Sequence, residues 1–208
     1  YCDPPFATGD VFKIPLKIGD KKYQLKTKFD KFDQVAYNDK WEEGISSYTQ
    51  MLYERLILMK DLLKSDGLIF IHVDYRAAAY VKLLLDEIFG NEHFVNEIIW
   101  CYKRWTAVSN SFQKSHDNIF IYSKSKDYKF NTQYTSYADD EAHFTKRDEK
   151  GRYRWQYLKG KKYKLYLKEE GVRMGDWWDI SYLNSMAKER TNYPTQKHEI
   201  LFWDYLII

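Results

Sequence analysis

Residues 1–6 combine side chains that could do chemistry on a nitrogen base. Their consecutive prolines, Pro4 and Pro5, remove two N–H donors, fix two φ angles and keep each preceding residue out of the helical region. The segment is therefore a stiff, extended corner with the Asp3 carboxylate on one side and the Phe6 ring on the other. A planar base with an exocyclic amino group could stack on Phe6 while Asp3 and a proline carbonyl hold its N–H groups. Such fixation favours attack by the amine on an electrophilic carbon.

Taken alone, the Asp3-Pro4-Pro5-Phe6 tetrapeptide is equally consistent with a proline-rich turn, because short motifs often match by chance. With the following Ala7-Thr8-Gly9, however, it resembles the catalytic motif of the amino-group DNA methyltransferases. Later segments resemble the same family in the order of its β arrangement, which type III restriction-modification subunits share. These segments are Val35-Ala36-Tyr37-Asn38-Asp39-Lys40-Trp41, Tyr53-Glu54-Arg55-Leu56-Ile57-Leu58, Asn96-Glu97-Ile98-Ile99-Trp100 and Tyr193-Pro194-Thr195-Gln196-Lys197.

The resemblance implies methyl transfer from S-adenosylmethionine to an exocyclic amine in double-stranded DNA, with Asp3, Pro4, Pro5 and Phe6 as catalytic residues. In the family pattern, Asp rather than Ser at the first motif position favours adenine, and cytosine N4 methylation is the alternative. The target base must leave the duplex, and stacking on Phe6 offsets part of that cost. Whether Asp3 takes the amine proton or only orients the amine is open. The family implies a cytoplasmic enzyme, with a restriction subunit or a second copy as further partner and no membrane.

By the same resemblance, Asp3, Pro194, Thr195 and Lys197 are predicted to bind the cofactor. The family continues with Pro where this chain has His198, and then with a glycine-rich turn. None of the 9 glycines forms a GxG pattern. We therefore expect a fragment that lacks the glycine-rich cofactor motif. A catalytically incompetent nucleic-acid-binding fragment is the second hypothesis, and a plain α/β interaction domain is the third.

Composition is that of a globular protein without a metal site. The 208 residues are 44% hydrophobic and 30% charged, enough to form a core. The net charge of +3 excludes a histone-like polybasic chain but allows a local basic patch. Cys2 and Cys101 form no CxxC pair, and the 5 histidines lack ligand spacing.

Hydrophobic periodicity predicts alternating helices and buried strands. A helix begins after an N-cap at Ser46-Ser47 and ends before Gly67, and a second spans 76–89. Continuous apolar runs predict strands at 68–73, 95–101 and 118–122. An earlier hairpin is predicted from Phe12–Ile18 and Tyr23–Phe29, either solvated or acting as a flap near DNA. The expected fold is an open α/β sheet with helices on both faces, and the resemblance makes it a partial Rossmann-like methyltransferase sheet with an inserted target-recognition region.

Residues 146–168 interleave ten Lys or Arg and five aromatic residues with two acidic residues. Basic residues can neutralise phosphates and rings can stack on bases, although a solvated hairpin face has the same pattern. The predicted DNA-binding residues are Lys103, Arg104, Arg152, Arg154, Lys161 and Lys162. The predicted domains are a partial catalytic core (1–123), a target-recognition region (124–190) and the truncated start of a cofactor-binding segment (191–208).

Two further patterns suggest chemistry less strongly. His72 and Asp74 share one face of a predicted strand, which allows a catalytic pair but fits a structural strand end better. Ser115-His116-Asp117 suggests a hydrolase, but a catalytic triad is assembled in space rather than by adjacency. We therefore do not predict hydrolysis.

Overall fold

The computed structural model describes residues 1–9, 11–15, 33–38, 41, 44–103, 110–137, 142–184, 186–191, 193 and 196–201, with backbone only for 11–15 and 33–38. These residues form two compact units. The sheet unit comprises residues 1–129 and 176–201, and the hairpin unit comprises residues 130–175.

The described part of the sheet unit contains two α-helices and six strands. In chain order they are β1 (Val11–Pro15), β2 (Asp33–Asn38), α1 (Ile45–Leu62), β3 (Leu68–Asp74), α2 (Ala78–Phe89), a 3₁₀ turn (Asn91–His93), β4 (Phe94–Cys101) and β5 (His116–Ser123). The sixth strand, Trp177–Asp179, follows the hairpin unit in the chain. The predicted helices and the strands at 68–73, 95–101 and 118–122 are therefore confirmed within a few residues.

The hairpin unit contains five strands in its described residues. They are β6 (Tyr134–Thr135), β7 (Lys146–Asp148), β8 (Gly151–Leu158), β9 (Lys161–Tyr166) and β10 (Val172–Arg173), and β11 (Trp177–Asp179) follows in the sheet unit. Strands β7, β8 and β9 form an antiparallel sheet, and β6 pairs with β10. The turn from β8 to β9 uses Lys159 and Gly160 at φ 49° and 74°, and two successive positive φ angles match the right-handed twist of a hairpin.

The central sheet has the strand order β11-β4-β5-β3. Strand β5 is antiparallel to both neighbours, β11 is parallel to β4, and Cys2 makes a parallel bridge to Ile71 of β3. The sheet is therefore mixed, which confirms a fold of helix and sheet.

Both described helices pack on one face of this sheet. Alternate residues of β3 and β5 join the buried residues of α1 and α2 in a single core. Its members are Tyr48, Leu52, Leu56, Ile69, Ile71, Val73, Ala77, Val81, Leu85, Phe89, Phe120 and Tyr122. The opposite face carries His72 and Trp100, and the rings of Tyr1 and Phe6 contact His72 there. The expectation of helices on both faces is therefore wrong for the described chain.

Helix α1 begins one residue before the predicted cap. Gly44 occupies the N-cap position with φ 63°, and no side chain caps the helix. Ser46 and Ser47 already lie in the first turn, where the Ser47 hydroxyl donates to the Gly44 carbonyl at 3.1 Å. The predicted N-cap is wrong because the left-handed turn at Gly44 starts the helix earlier.

Helix α2 begins at Ala78 rather than at Arg76. The Asp74 carboxylate accepts hydrogen bonds from the Arg76 backbone N–H at 2.9 Å and from its Nε at 2.8 Å. These bonds hold residues 74–77 in a turn before the helix can start.

The described partner of β1 is not the predicted one. Strand β1 pairs antiparallel with β2, residues 33–38. The predicted partner, Tyr23–Phe29, and the turn at Gly19-Asp20-Lys21 lie outside the described residues.

Candidate active site

Backbone hydrogen bonds attach the first residues to the edge of the sheet. The Cys2 N–H donates to the Phe70 carbonyl at 2.8 Å, and the His72 N–H donates to the Cys2 carbonyl at 2.9 Å. The Cys2 side chain packs toward the helix-covered core, and burial raises the pKa of its thiol. Because side chains alternate along an extended chain, Asp3 emerges on the opposite face, beside His72.

The Asp3 carboxylate lies between two nitrogen groups. Its Oδ2 is 3.3 Å from Lys197 Nζ, and its Oδ1 is 3.3 Å from His72 Nδ1. Oδ1 is nevertheless buried and makes no hydrogen bond within the described part of the chain. A buried carboxylate oxygen without a donor is costly, so Oδ1 retains unused capacity to accept a hydrogen bond.

The Phe6 ring lies against the same two residues. Lys197 Nζ lies over the ring at 5.0 Å from its centroid, and the His72 ring makes an edge contact at 5.2 Å. Pro4 and Pro5 are partly buried, and Ala7 then turns the chain at φ 55°, which is uncommon for a residue other than glycine. A base that stacks on Phe6 must use the face that Lys197 leaves open, or displace its ammonium group.

His72 is fully buried beneath Asp3 and binds a second carboxylate. Its Nε2 is 3.0 Å from Asp117 Oδ2, and the Tyr102 hydroxyl donates to Asp117 Oδ1 at 3.0 Å. Its Nδ1 is 2.7 Å from the Tyr1 hydroxyl. Burial and the charges of Asp3 and Asp117 raise the pKa of Tyr1, so this hydroxyl stays protonated.

The structure therefore separates His72 from Asp74. Asp74 binds Arg76, as described above, whereas His72 contacts Asp3 and Asp117. Sequence reasoning missed the role of Asp117, which lay in the tripeptide set aside as a hydrolase motif. The link becomes visible only from the register of β3 and β5, which pairs Asp74 with Asp117.

Lys197 is the one predicted cofactor residue besides Asp3 that the described chain includes, since Pro194 and Thr195 lie outside it. The preceding residue, Gln196, organises this loop. Its side-chain oxygen accepts from the Thr191 N–H at 2.6 Å, and its amide donates to the Glu189 carbonyl at 2.8 Å. Lys197 is thereby held at Asp3, so the structure brings together two predicted site residues that are distant in sequence.

The predicted DNA-binding residues are divided between the two units of the chain. Lys103 is exposed in the sheet unit, and Arg104 lies outside the described residues. In the hairpin unit, Lys162 lies on the face that carries Tyr153, Trp155 and Tyr157. On this face, which we call the lysine–aromatic face, Lys162 Nζ lies 4.3 Å from the Trp155 ring centroid.

The other three hairpin residues, Arg152, Arg154 and Lys161, lie on the opposite face. Arg152 Nε donates to the Phe144 carbonyl at 3.2 Å, and the Arg154 guanidinium lies 5.3 Å from the Phe144 ring centroid. Phe144 is buried, so these arginines also contribute to the packing of the hairpin unit.

No described helix has the length and apolar character that crossing a membrane requires. Among the described residues, no three His, Cys, Asp or Glu side chains are grouped so that they could hold a metal ion.

The chain belongs to the DNA methylase family, of the N6/N4 methyltransferase type, whose family model matches residues 1–202. This confirms the family that the sequence motifs resemble.

Relatives of the chain are restriction-modification methyltransferases. Type II methyltransferase M.EcaI of Enterobacter cloacae is 35% identical over 133 residues, which cover 63% of this chain and 25% of the relative. The Mod subunit of the type III enzyme StyLTI of Salmonella typhimurium is 37% identical over 125 residues, covering 58% and 18%. Type II methyltransferase M.HpaI of Haemophilus parainfluenzae is 23% identical over 190 residues, covering 91% and 51%. The matched regions therefore span from 18% to 51% of these relatives' own length.

Proposed function

We propose that this chain carries the catalytic residues of a site-specific DNA methyltransferase that methylates the exocyclic amine of adenine, with S-adenosylmethionine as donor. The observation that carries the proposal is the Asp3 carboxylate, held between Lys197 and His72 with a buried oxygen that lacks a hydrogen bond. An amine N–H of a flipped base is a donor that would satisfy this oxygen. Adenine is preferred to cytosine because the motif begins with Asp.

Asp3 and the neighbouring proline carbonyls would act on the amine as acceptors. The lone pair of an exocyclic amine is delocalised into the ring, so the amine is a weak nucleophile. Two acceptors that hold its N–H groups would favour a more tetrahedral nitrogen as the N–C bond forms and the sulfonium S–C bond breaks, with a neutral thioether as leaving group. The nitrogen would then lose one proton, and Asp3 would be the carboxylate beside it.

Stacking on Phe6 would hold the base in the plane that this transfer needs. Extruding a base from the duplex costs a few kcal/mol, and stacking recovers part of that cost. Lys197 covers one face of the ring at 5.0 Å, so stacking and ammonium contact compete unless they use opposite faces.

The charged pair of Asp3 and Lys197 suits the methionine part of the cofactor. Lys197 can bind the carboxylate and Asp3 the α-amino group, and we propose Pro194 and Thr195 as neighbours in the same pocket. When bound, S-adenosylmethionine supplies a sulfonium-activated methyl group. The Lys197 side chain is 18% exposed, so the pair is not fully buried.

The lysine–aromatic face is the preferred DNA contact in the hairpin unit. Lys146, Lys162 and Lys164 lie within 6 Å of the Trp155 centroid, so ammonium groups and rings occupy one surface. Ammonium groups can bind phosphates while exposed rings stack on bases. Mod subunits among the relatives belong to restriction-modification enzymes, which supports a restriction subunit as further partner, and a second copy is the alternative.

The deciding experiment measures transfer of a labelled methyl group to DNA by the full-length protein and by its Asp3→Ala variant. We expect Asp3→Ala to lose transfer while it keeps its DNA affinity. Mass spectrometry of the digested DNA distinguishes N6-methyladenine from N4-methylcytosine. Turnover that survives in Asp3→Ala would refute the catalytic assignment.

Absence of turnover by residues 1–208 alone, with retained DNA binding and with turnover by the full-length protein, would favour the non-catalytic fragment. Titration calorimetry with S-adenosylmethionine separates a cofactor-binding defect from a catalytic one. The lack of a GxG pattern makes this control necessary.

A further inference from the structure

His72 is a fully buried side chain whose two ring nitrogens each face a carboxylate. Nδ1 lies 3.3 Å from Asp3 Oδ1, and Nε2 lies 3.0 Å from Asp117 Oδ2. Asp3 lies near the start of the chain, whereas Asp117 lies in β5. The imidazole therefore links the Asp3 carboxylate to the interior of the sheet.

Each contact of the ring needs one donor and one acceptor. Asp117 also accepts from the Tyr102 hydroxyl, and because an ionised carboxylate can only accept, Nε2 donates to Asp117 Oδ2. Nδ1 lies 2.7 Å from the Tyr1 hydroxyl as well as 3.3 Å from Asp3 Oδ1. Donation from Nδ1 toward Oδ1 requires a hydrogen on both ring nitrogens, which is the form of the imidazole that suits a carboxylate on each side.

Several contacts leave the imidazole little freedom to turn. The rings of Phe6 and Trp100 each pack against it with centroids at 5.2 Å. Its own backbone N–H binds the Cys2 carbonyl, one residue before Asp3. His72 thus contacts Asp3 in two ways: its main chain holds the backbone next to Asp3, and its side chain lies against the Asp3 carboxylate.

We propose that His72 is a positioning residue for methyl transfer. Through Nδ1 it sets the orientation of the Asp3 carboxylate toward the amine, while Asp117 and Tyr102 hold the ring from the other side. This inference rests on the proposed function, because it concerns the same carboxylate. It goes beyond that function by assigning a role to a buried histidine that does not touch the base.

Two isosteric variants test the contact at each nitrogen separately. In His72→Asn the side-chain amide nitrogen lies close to the position of Nδ1. In His72→Gln the side-chain amide nitrogen lies close to the position of Nε2. We expect His72→Asn to keep kcat within about tenfold of wild type, because one hydrogen bond is replaced by a similar one. We expect His72→Gln to lower kcat roughly 100-fold, the effect of a carboxylate misplaced by about 1 Å.

In both variants KM for DNA and the DNA affinity should remain those of the wild type. His93→Gln is the matched control, since His93 faces Ser123 outside this network. Circular dichroism and thermal melting establish that each variant is folded. Equal kcat for the two His72 variants, or wild-type kcat in both, would overturn the proposal.

Tyr102→Phe provides a second test that does not place a new side chain in the core. It removes the hydroxyl that donates to Asp117 and is expected to lower kcat about two- to tenfold at unchanged KM. Unchanged kcat would overturn the inference. The proposed function fails separately, through wild-type protein without transfer or Asp3→Ala with full transfer.

Discussion

Replacing Lys197 by Met removes a charge at the candidate site while keeping a side chain of similar length. The ammonium lies 3.3 Å from Asp3 Oδ2 and 5.0 Å from the Phe6 centroid. At an effective dielectric constant of about 20, a charge pair at this separation attracts by about 5 kcal/mol before desolvation is subtracted. Both side chains are about a fifth exposed, at 18% and 23%, so solvent screening and desolvation remove most of that attraction.

We expect a net loss of about 1–2 kcal/mol of folding free energy, of which the cation–π contact contributes about 0.5–1 kcal/mol. For a chain of this size that loss lowers Tm by about 2–8 °C. If Lys197 binds the methionine carboxylate, the affinity for S-adenosylmethionine should fall roughly 10- to 100-fold, the effect of one lost charged hydrogen bond. DNA affinity should be unchanged.

Differential scanning fluorimetry and titration calorimetry measure these two effects. Lys188→Met is the matched control, because Lys188 is an exposed lysine of the same C-terminal region. If Lys197→Met melted at the temperature of the control, the ion pair with Asp3 would not contribute to stability as argued. If its cofactor affinity equalled that of wild type, the carboxylate-binding role would be refuted while the role of Asp3 stood.

Two further predictions concern the hairpin unit and the acid stability of the sheet unit. Lys162→Glu should lower DNA affinity, and the dependence of that affinity on salt, more than Lys161→Glu does. The reason is that Lys162 lies on the lysine–aromatic face and Lys161 on the opposite face. Equal losses of affinity in fluorescence anisotropy would contradict this. Burial raises the pKa of Asp86, but hydrogen bonds from Lys82 and Tyr122 outweigh it and hold the pKa below the ordinary value. The depressed pKa stabilises the fold above the unfolded value of about 3.9, and this contribution is lost as pH falls through the folded pKa. Asp86→Asn should therefore reduce Tm at pH 7 and flatten its decline on acidification; parallel melting curves would refute this.

The individual elements were predictable because their signals are local. The apolar run at 68–73 appears as β3, and the second helix ends at Phe89 as predicted, with Gly90 as its C-cap. Strand order was not predictable, because pairing joins segments that are distant in sequence. The antiparallel position of β5 between β3 and β4, and the placement of both helices on one face, depend on those long-range contacts.

The same distinction applies to the candidate site. The motifs predicted that Asp3 and Lys197 belong to one site, whereas the contact of His72 with Asp117 required the strand register. The division of Lys161 from Lys162 was available in the sequence, since neighbours in a strand point to opposite sides. It was missed because the basic residues were counted as a patch rather than assigned to faces.

Because of the parallel bridge at Cys2, the site depends on the number of residues between Cys2 and Asp3 rather than on which small side chain residue 2 carries. Its two hydrogen bonds use only main-chain atoms, so exchange of the thiol for another small group leaves them intact. Insertion of one residue between Cys2 and Asp3 would instead rotate the acid toward the helices, since each step along an extended chain reverses the side-chain direction. Every residue would still be present, yet the reactive corner would face the wrong side of the sheet.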